Sequence, residues 1–238
     1  VSNDQAMTVV ITIVLINCSL YITSNLLIYF FKYDIGGAGW NANYVLFNTF
    51  GGGIQIISMM LFYPLFRKFI SAMQVFYVSF VMAIGGYAVL LALMFTNRTN
   101  IYILMIPGFF IFTAFGMLTV LTTVFLANTV DYGELKNNRR DESVIFSMQT
   151  FVVKLASGVA AMIASICLTI SNISNDTSTE AAAMVSDSYT SVAVLRMTMT
   201  VLPIIGLLVA VFIFAKKYIL TDEKLGEINQ ELAHRHKA

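Results

Sequence analysis

Long apolar runs separated by short polar segments dominate this chain: about Met7 to Phe30, Tyr44 to Tyr63, Ala72 to Phe95, Ile101 to Ala127, Val144 to Ile170 and Val192 to Ala215. Each is long enough to cross a bilayer as a helix, which takes about 20 residues at about 1.5 Å apiece. None alternates strictly between polar and apolar positions. Only helices and closed barrels satisfy every backbone group in hydrocarbon, so six transmembrane helices are expected. After Lys216 and Lys217 the pattern changes. Thr221 followed by Leu225, Ile228 and Leu232 reads as a short amphipathic helix with a capping threonine. The expected organisation is an all-α membrane protein, with a six-helix transmembrane bundle over 1–217 and a cytosolic amphipathic tail helix over 218–238.

Polar positions inside the runs fall at helical spacing. The first run carries Asn17, Tyr21 and Ser24 beside Asn25; the second Tyr44, Asn48, Gly51 and Gln55; the fourth Thr113, Gly116, Thr119 and Thr123. Ser143, Ser147, Thr150, Lys154 and Ser157 make one stripe on the fifth, with Gln149 and Val153 beside it. Such stripes either hydrogen-bond neighbouring helices or line a hydrophilic pathway. Four together favour a shared cavity. Lys154 lies ten residues past Val144, roughly 15 Å deep, where an ammonium costs about +2.5 to +3.5 kcal/mol on insertion scales. From there its four methylenes fall short of either interface, so it is expected to face protein or a watery cavity rather than to snorkel.

Small residues interrupt several runs: Gly51 to Gly53, Gly85 and Gly86, and Ser157, Ala161 and Ser165 at every fourth position. They permit close backbone approach, and the triple glycine either packs or bends its helix. Pro107 and Pro203 favour kinks. Arg196, four residues into the last run, either snorkels or pairs at the outer interface, or stands on the translocation path. Cys18 and Cys167 sit in apolar runs without metal-type spacing and read as packing residues.

Composition agrees: of 238 residues 58% are hydrophobic and 11% charged, against roughly 25% charged in a soluble domain. A net charge of +1 without a basic tract gives no ground for nucleic-acid binding. Between the runs, ten Lys and Arg fall on one side, among them Arg67, Lys68, Lys136, Arg139 and Arg140, and two, Lys32 and Arg98, on the other. That bias places both termini and the 131–142 loop in the cytoplasm of a multi-pass cell-membrane protein. The Ser171 to Thr190 segment, with Asp176, Glu180 and Asp187, is then an outer loop. The sequons at 97–99 and 175–177 are patterns short enough to arise by chance. No charged leader with a cleavage site precedes the first run, and the chain opens on Val1, so a piece of a longer or processed polypeptide is expected.

An enzyme is not expected. His234 and His236 lie in the tail, and no Ser-His-Asp order, metal-ligand cluster or phosphate loop occurs in the membrane. Asp131, Glu134, Asp141 and Glu142 suggest a metal site, but among Lys136, Arg139 and Arg140 they read better as salt-bridge partners.

The block Asp131-Tyr132-Gly133-Glu134, then Lys136, Arg140, Glu142, Ser143, Ser147, Gln149-Thr150 and Lys154, resembles the signature joining the tenth and eleventh helices of the glycoside-pentoside-hexuronide cation symporters. That family is a branch of the major facilitator superfamily. Arg196 with Pro203, and the tail from Tyr218 to Arg235, are similar to its carboxyl end. The resemblance implies the carboxyl-terminal half of a twelve-helix carrier, one of two six-helix halves each made of two inverted three-helix repeats. It implies sugar-binding roles for Gln149, Thr150, Val153 and Lys154, with Thr119 at the position of a sugar-stacking tryptophan in one member. Lys154 and Thr150 would also couple to the cation, Na⁺ or H⁺. Asp131, Glu134, Arg140 and Glu142 would form a cytoplasmic ion-pair gate. No cofactor is implied; the partners would be a sugar or glycoside, the amino-terminal half and membrane lipid. Asn128 stands where relatives carry an acid, and no second stacking residue is evident, Trp40 being expected in an outer loop.

Two further readings stay open beside the symporter. The chain is an assembly module without transport activity of its own, or the same fold carries a lipid-like solute.

Overall fold

The computed structural model describes residues 3–96, 100–171, 173 and 189–235. Helix α1 (Asp4–Tyr29) starts at Asn3, whose Oδ1 accepts the Ala6 N–H, and passes into a π-helical stretch, Phe30–Ile35. Gly36 and Gly37, with φ of 61° and 79°, make the turn that follows. The second span joins α2 (Trp40–Ile57), a π-helical stretch Ser58–Phe62 and the short α3 (Tyr63–Arg67). α4 (Ala72–Phe95) opens on a capping box in which Ser71 and Gln74 bond each other's backbone N–H. α5 (Ile101–Asn137), α6 (Glu142–Ile170), α7 (Tyr189–Lys217) and the tail helix α8 (Asp222–Arg235) complete the chain. The expected six spans are all present, and no strand occurs among the described residues. The segment 174–188, with Asp176, Glu180 and Asp187, and both sequons lie outside those residues.

α5 runs 37 residues, about 55 Å, against about 30 Å of hydrocarbon. Asp131 to Asn137 are therefore its last two turns and not a loop, which shrinks to 138–141. Hydropathy falls at Ala127 because the chain leaves the apolar layer, and a helix outside lipid needs no apolar side chains to continue. It stops at Asn138, the one non-glycine residue with positive φ among those described.

The six spans divide into two triplets that pack alike. α1 packs mainly on α7 and α6, and α5 mainly on α4 and α2, so exchanging the triplets turns one set of contacts into the other. Burial follows the same exchange: 50% and 61% for the spans of α1 and α5, 17% and 28% for α2 and α6, 39% and 33% for α4 and α7. Helices three apart also run oppositely, because every connection reverses the chain. This is the expected inverted repeat.

Aromatic packing seals the end where the termini and most Lys and Arg lie, called here the basic end. Phe76 of α4 sits 4.2 Å from Phe214 of α7 and 5.2 Å from Phe125 of α5, centroid to centroid. Pro107 and Pro203 lie inside continuous helices. Pro203 deprives the Met199 carbonyl of its helical donor, and the Thr23 hydroxyl supplies one from α1 at 3.0 Å. Thr23 in turn accepts from Tyr87, 2.8 Å away. The tail helix starts at Thr221, whose Oγ1 accepts the Lys224 N–H, and buries Ile228 and Leu232. Arg235 donates to the Leu135 carbonyl and Asn138 Oδ1, placing a cation at the carboxyl end of α5.

Candidate functional site: a polar cavity between four helices

Where α1, α2, α5 and α6 meet, a cavity of about 560 Å³ opens. α1 contributes Asn17, Tyr21 and Ser24, which rise along one face at steps of four and three. α2 contributes Asn48, Gly52 and Gln55; α5 Phe112, Thr119 and Thr122; α6 Gln149 and Val153. No lining residue is charged. Two glycines let α2 lie against α5: the Phe112 ring fills the place of a Gly51 side chain, and a Cβ on Gly116 would meet the Gln55 carbonyl and Ser58 at 2.7 Å. The triple glycine therefore packs at Gly51 and borders the cavity at Gly52. Ser58 ties the same pair of helices, donating to the Thr113 carbonyl at 2.6 Å.

The walls differ in what their polar groups already bond. On α5, Thr119 and Thr122 each donate to their own helix, to Phe115 O and Leu118 O at 2.8 Å. Gln149 Nε2 donates to Thr123 Oγ1 at 3.2 Å. On α1, Asn17 Nδ2 donates to Ile13 O, leaving its Oδ1 open.

α6 shows two outward faces of opposite character. One carries Val144, Phe151, Leu155, Met162, Ile166 and Ile170, all large, apolar and exposed. The other, about 100° round the helix, carries Ser143, Ser147, Thr150, Lys154, Ser157, Ala161 and Ser165, all exposed. The small residues at Ser157, Ala161 and Ser165, expected to permit close backbone approach, stand exposed.

Of the residues the sequence singled out for the sugar, the structure brings Gln149, Val153 and Thr119 into the cavity. Thr150, whose hydroxyl bonds the Phe146 carbonyl, and Lys154 stand outside it on the exposed polar stripe. The α1 stripe lines the cavity as the spacing suggested. From the fourth run Thr113 and Gly116 are buried against α2 instead, and Thr123 bonds Gln149.

At the basic end Asp131, Glu134, Arg140 and Glu142 come together. The Arg140 guanidinium reaches Glu134 at 2.8 Å, Glu142 at 3.2 Å and Asp131 at 3.3 Å. These bonds, Glu134 foremost, hold it above its ordinary pKa. Arg139 pairs with Asp141 at 2.6 Å, so all four carboxylates once open to a metal reading are salt-bridged. At the opposite end Arg196 pairs with Asp34 through two bonds of 2.7 and 2.6 Å and lies over the Phe95 ring. Asp34 escaped the sequence reading, as did Asp4, which Lys136 meets at 2.6 Å. Both are aspartates at the margin of an apolar run, and that is the only signal either gives.

Residues 1–222 match the family of MFS/sugar transport proteins. The chain is 32% identical to a lactose permease of Lactobacillus delbrueckii subsp. bulgaricus, over 86% of this chain and 31% of that protein. It is 27% identical to a raffinose carrier protein of Pediococcus pentosaceus, over 97% and 34%. It is 24% identical to an uncharacterized symporter of Bacillus subtilis, over 98% and 47%. The chain thus spans less than half the length of these curated relatives.

Proposed function

The chain belongs to the MFS/sugar transport protein family, a family of transporters rather than enzymes, and from that premise we propose that it is the carboxyl-terminal half of a cation-coupled sugar or glycoside symporter. The observation that carries the reading is the uncharged polar cavity among α1, α2, α5 and α6, flanked by the exposed stripe with Lys154. A polyhydroxylated ligand suits amides and hydroxyls in an otherwise apolar wall. The amino-terminal six-helix half closes the other side, lying along the polar and small residues of α6, and alternating access follows from rocking of the two halves about the ligand.

In this mechanism Gln149, Thr150, Val153, Lys154 and Thr119 contact the sugar, and Lys154 with Thr150 links sugar to cation. An ammonium facing a closing, drying site favours a nearby carboxylate or a sugar hydroxyl over isolation. Na⁺ or H⁺ supplies the gradient. Asp131, Glu134, Arg140 and Glu142 form the gate, and the Lys and Arg bias makes the basic end cytoplasmic in the cell membrane. Relatives that are a lactose permease and a raffinose carrier protein support a sugar cargo.

Lys154→Ala in the full-length carrier is expected to abolish gradient-driven sugar accumulation, measured as uptake of labelled lactose or raffinose into energised cells. Wild-type uptake by that variant would defeat the assignment. Because the cavity lies open on one side, this chain reconstituted alone in liposomes is expected to show no sugar counterflow. Flux by the isolated chain would defeat the half-carrier reading in favour of a self-sufficient unit.

A further inference from the structure

The resemblance directs attention to α6 and Thr119, yet among the residues lining the cavity the polar side chains without partners lie on α1 and α2. Within the described residues the side chains of Tyr21, Ser24, Asn48 and Gln55 make no hydrogen bond, although all four border the cavity. The threonines facing them on α5 are already engaged by their own helix. Polar groups in the middle of membrane helices rarely stay unpartnered without reason, since each costs free energy until water or a ligand meets it.

We infer that the α1–α2 wall, Tyr21 with Asn17, Ser24, Asn48 and Gln55, is the recognition surface for an uncharged sugar, with the Tyr21 ring as the face on which a pyranose stacks. This rests on the sugar-carrier reading above. Tyr21 stands between an amide four residues before it and a hydroxyl three after it on one helix face, so its ring is flanked by groups that reach the rim of a stacked sugar. Sugar hydroxyls both donate and accept. Gln55, Asn48, Ser24 and the Tyr21 phenol offer uncommitted donors; Asn17 Oδ1 and the Thr119 and Thr122 oxygens, which already donate elsewhere, remain as acceptors. A ligand bridging α1–α2 to α5 satisfies both sets at once. No residue lining the cavity is charged and Lys154 stands on the stripe outside it, so a uronate carboxylate set against the α1–α2 wall would be desolvated without a counter-ion on that wall, which favours a neutral sugar there.

The test uses the full-length carrier in a host lacking other uptake routes, with labelled lactose, raffinose and glucuronate. Tyr21→Ala and Gln55→Ala are expected to raise KM for the transported sugar about tenfold with Vmax within about twofold. Tyr21→Trp is expected to recover most of the loss, and Tyr21→Phe, which keeps the packing and the ring, to raise KM about threefold. Should Tyr21→Ala fail to reach the membrane, Tyr21→Phe and Gln55→Ala decide the matter. Unchanged KM in these variants beside an active wild type would overturn the inference and leave the family reading intact. A wild type that carries glucuronate but neither sugar would do the same. One that carries none of the three would remove both.

Discussion

Arginine is used in opposite ways at the two ends of the bundle. Arg196 and Asp34 meet through two parallel hydrogen bonds, with 10% and 3% of their side chains exposed. Arg140 spreads over three carboxylates with 51% of its own side chain exposed. A buried pair is strongly held against loss of one partner, because the charge left behind has no water to turn to. A wet cluster gives up one contact for a hydrated equivalent at little cost. The same chemistry is thus a fixed staple between the π-helical stretch that ends the first span and α7, and an exchangeable contact between α5 and α6.

The sharpest way to break this contrast is Asp34→Ala. Removing the buried carboxylate that Arg196 grips through two bonds is expected to lower stability by about 3–5 kcal/mol, read from the unfolding midpoint of the purified protein in detergent. An effect no larger than that of Asp131→Ala would erase the distinction. Thr23→Val comes next, at about 1–2 kcal/mol, because the Met199 carbonyl freed by Pro203 loses its donor and Tyr87 loses its acceptor. A neutral outcome would mean water enters there. Arg140→Ala is expected to shift the same midpoint by no more than about 1 kcal/mol. The smallest effect is ionic. Going from 0.1 to 1 M salt shortens the screening length from about 10 to about 3 Å, and should further shrink the Arg140→Ala difference while leaving that of Asp34→Ala in place.

These contrasts also mark what could be read in advance. Spacing alone put Asn17, Tyr21 and Ser24 on one face, and they line the cavity together. Depth alone put Lys154 mid-span, but whether it entered that cavity depended on the rotation of α6, which turns Val153 inward and leaves Lys154 on the exposed stripe. The Arg196 reading offered an ion pair among its alternatives without naming Asp34, 162 residues away. Nor did loss of hydropathy at Ala127 reveal that α5 continues to Asn137, since a helix outside the lipid keeps its backbone hydrogen bonds without a continuous apolar run.

By itself, then, the chain determined its six spans, its amphipathic tail, its charge asymmetry and the periodic faces of its helices, because these follow from local composition and from the fixed pitch of a helix in hydrocarbon. Which faces meet, which arginine finds which aspartate and which hydroxyls are left open to a ligand were decided only in three dimensions. Those outcomes depend on the rotation and register of one helix against another, which many weak contacts between distant residues fix jointly and no single segment encodes.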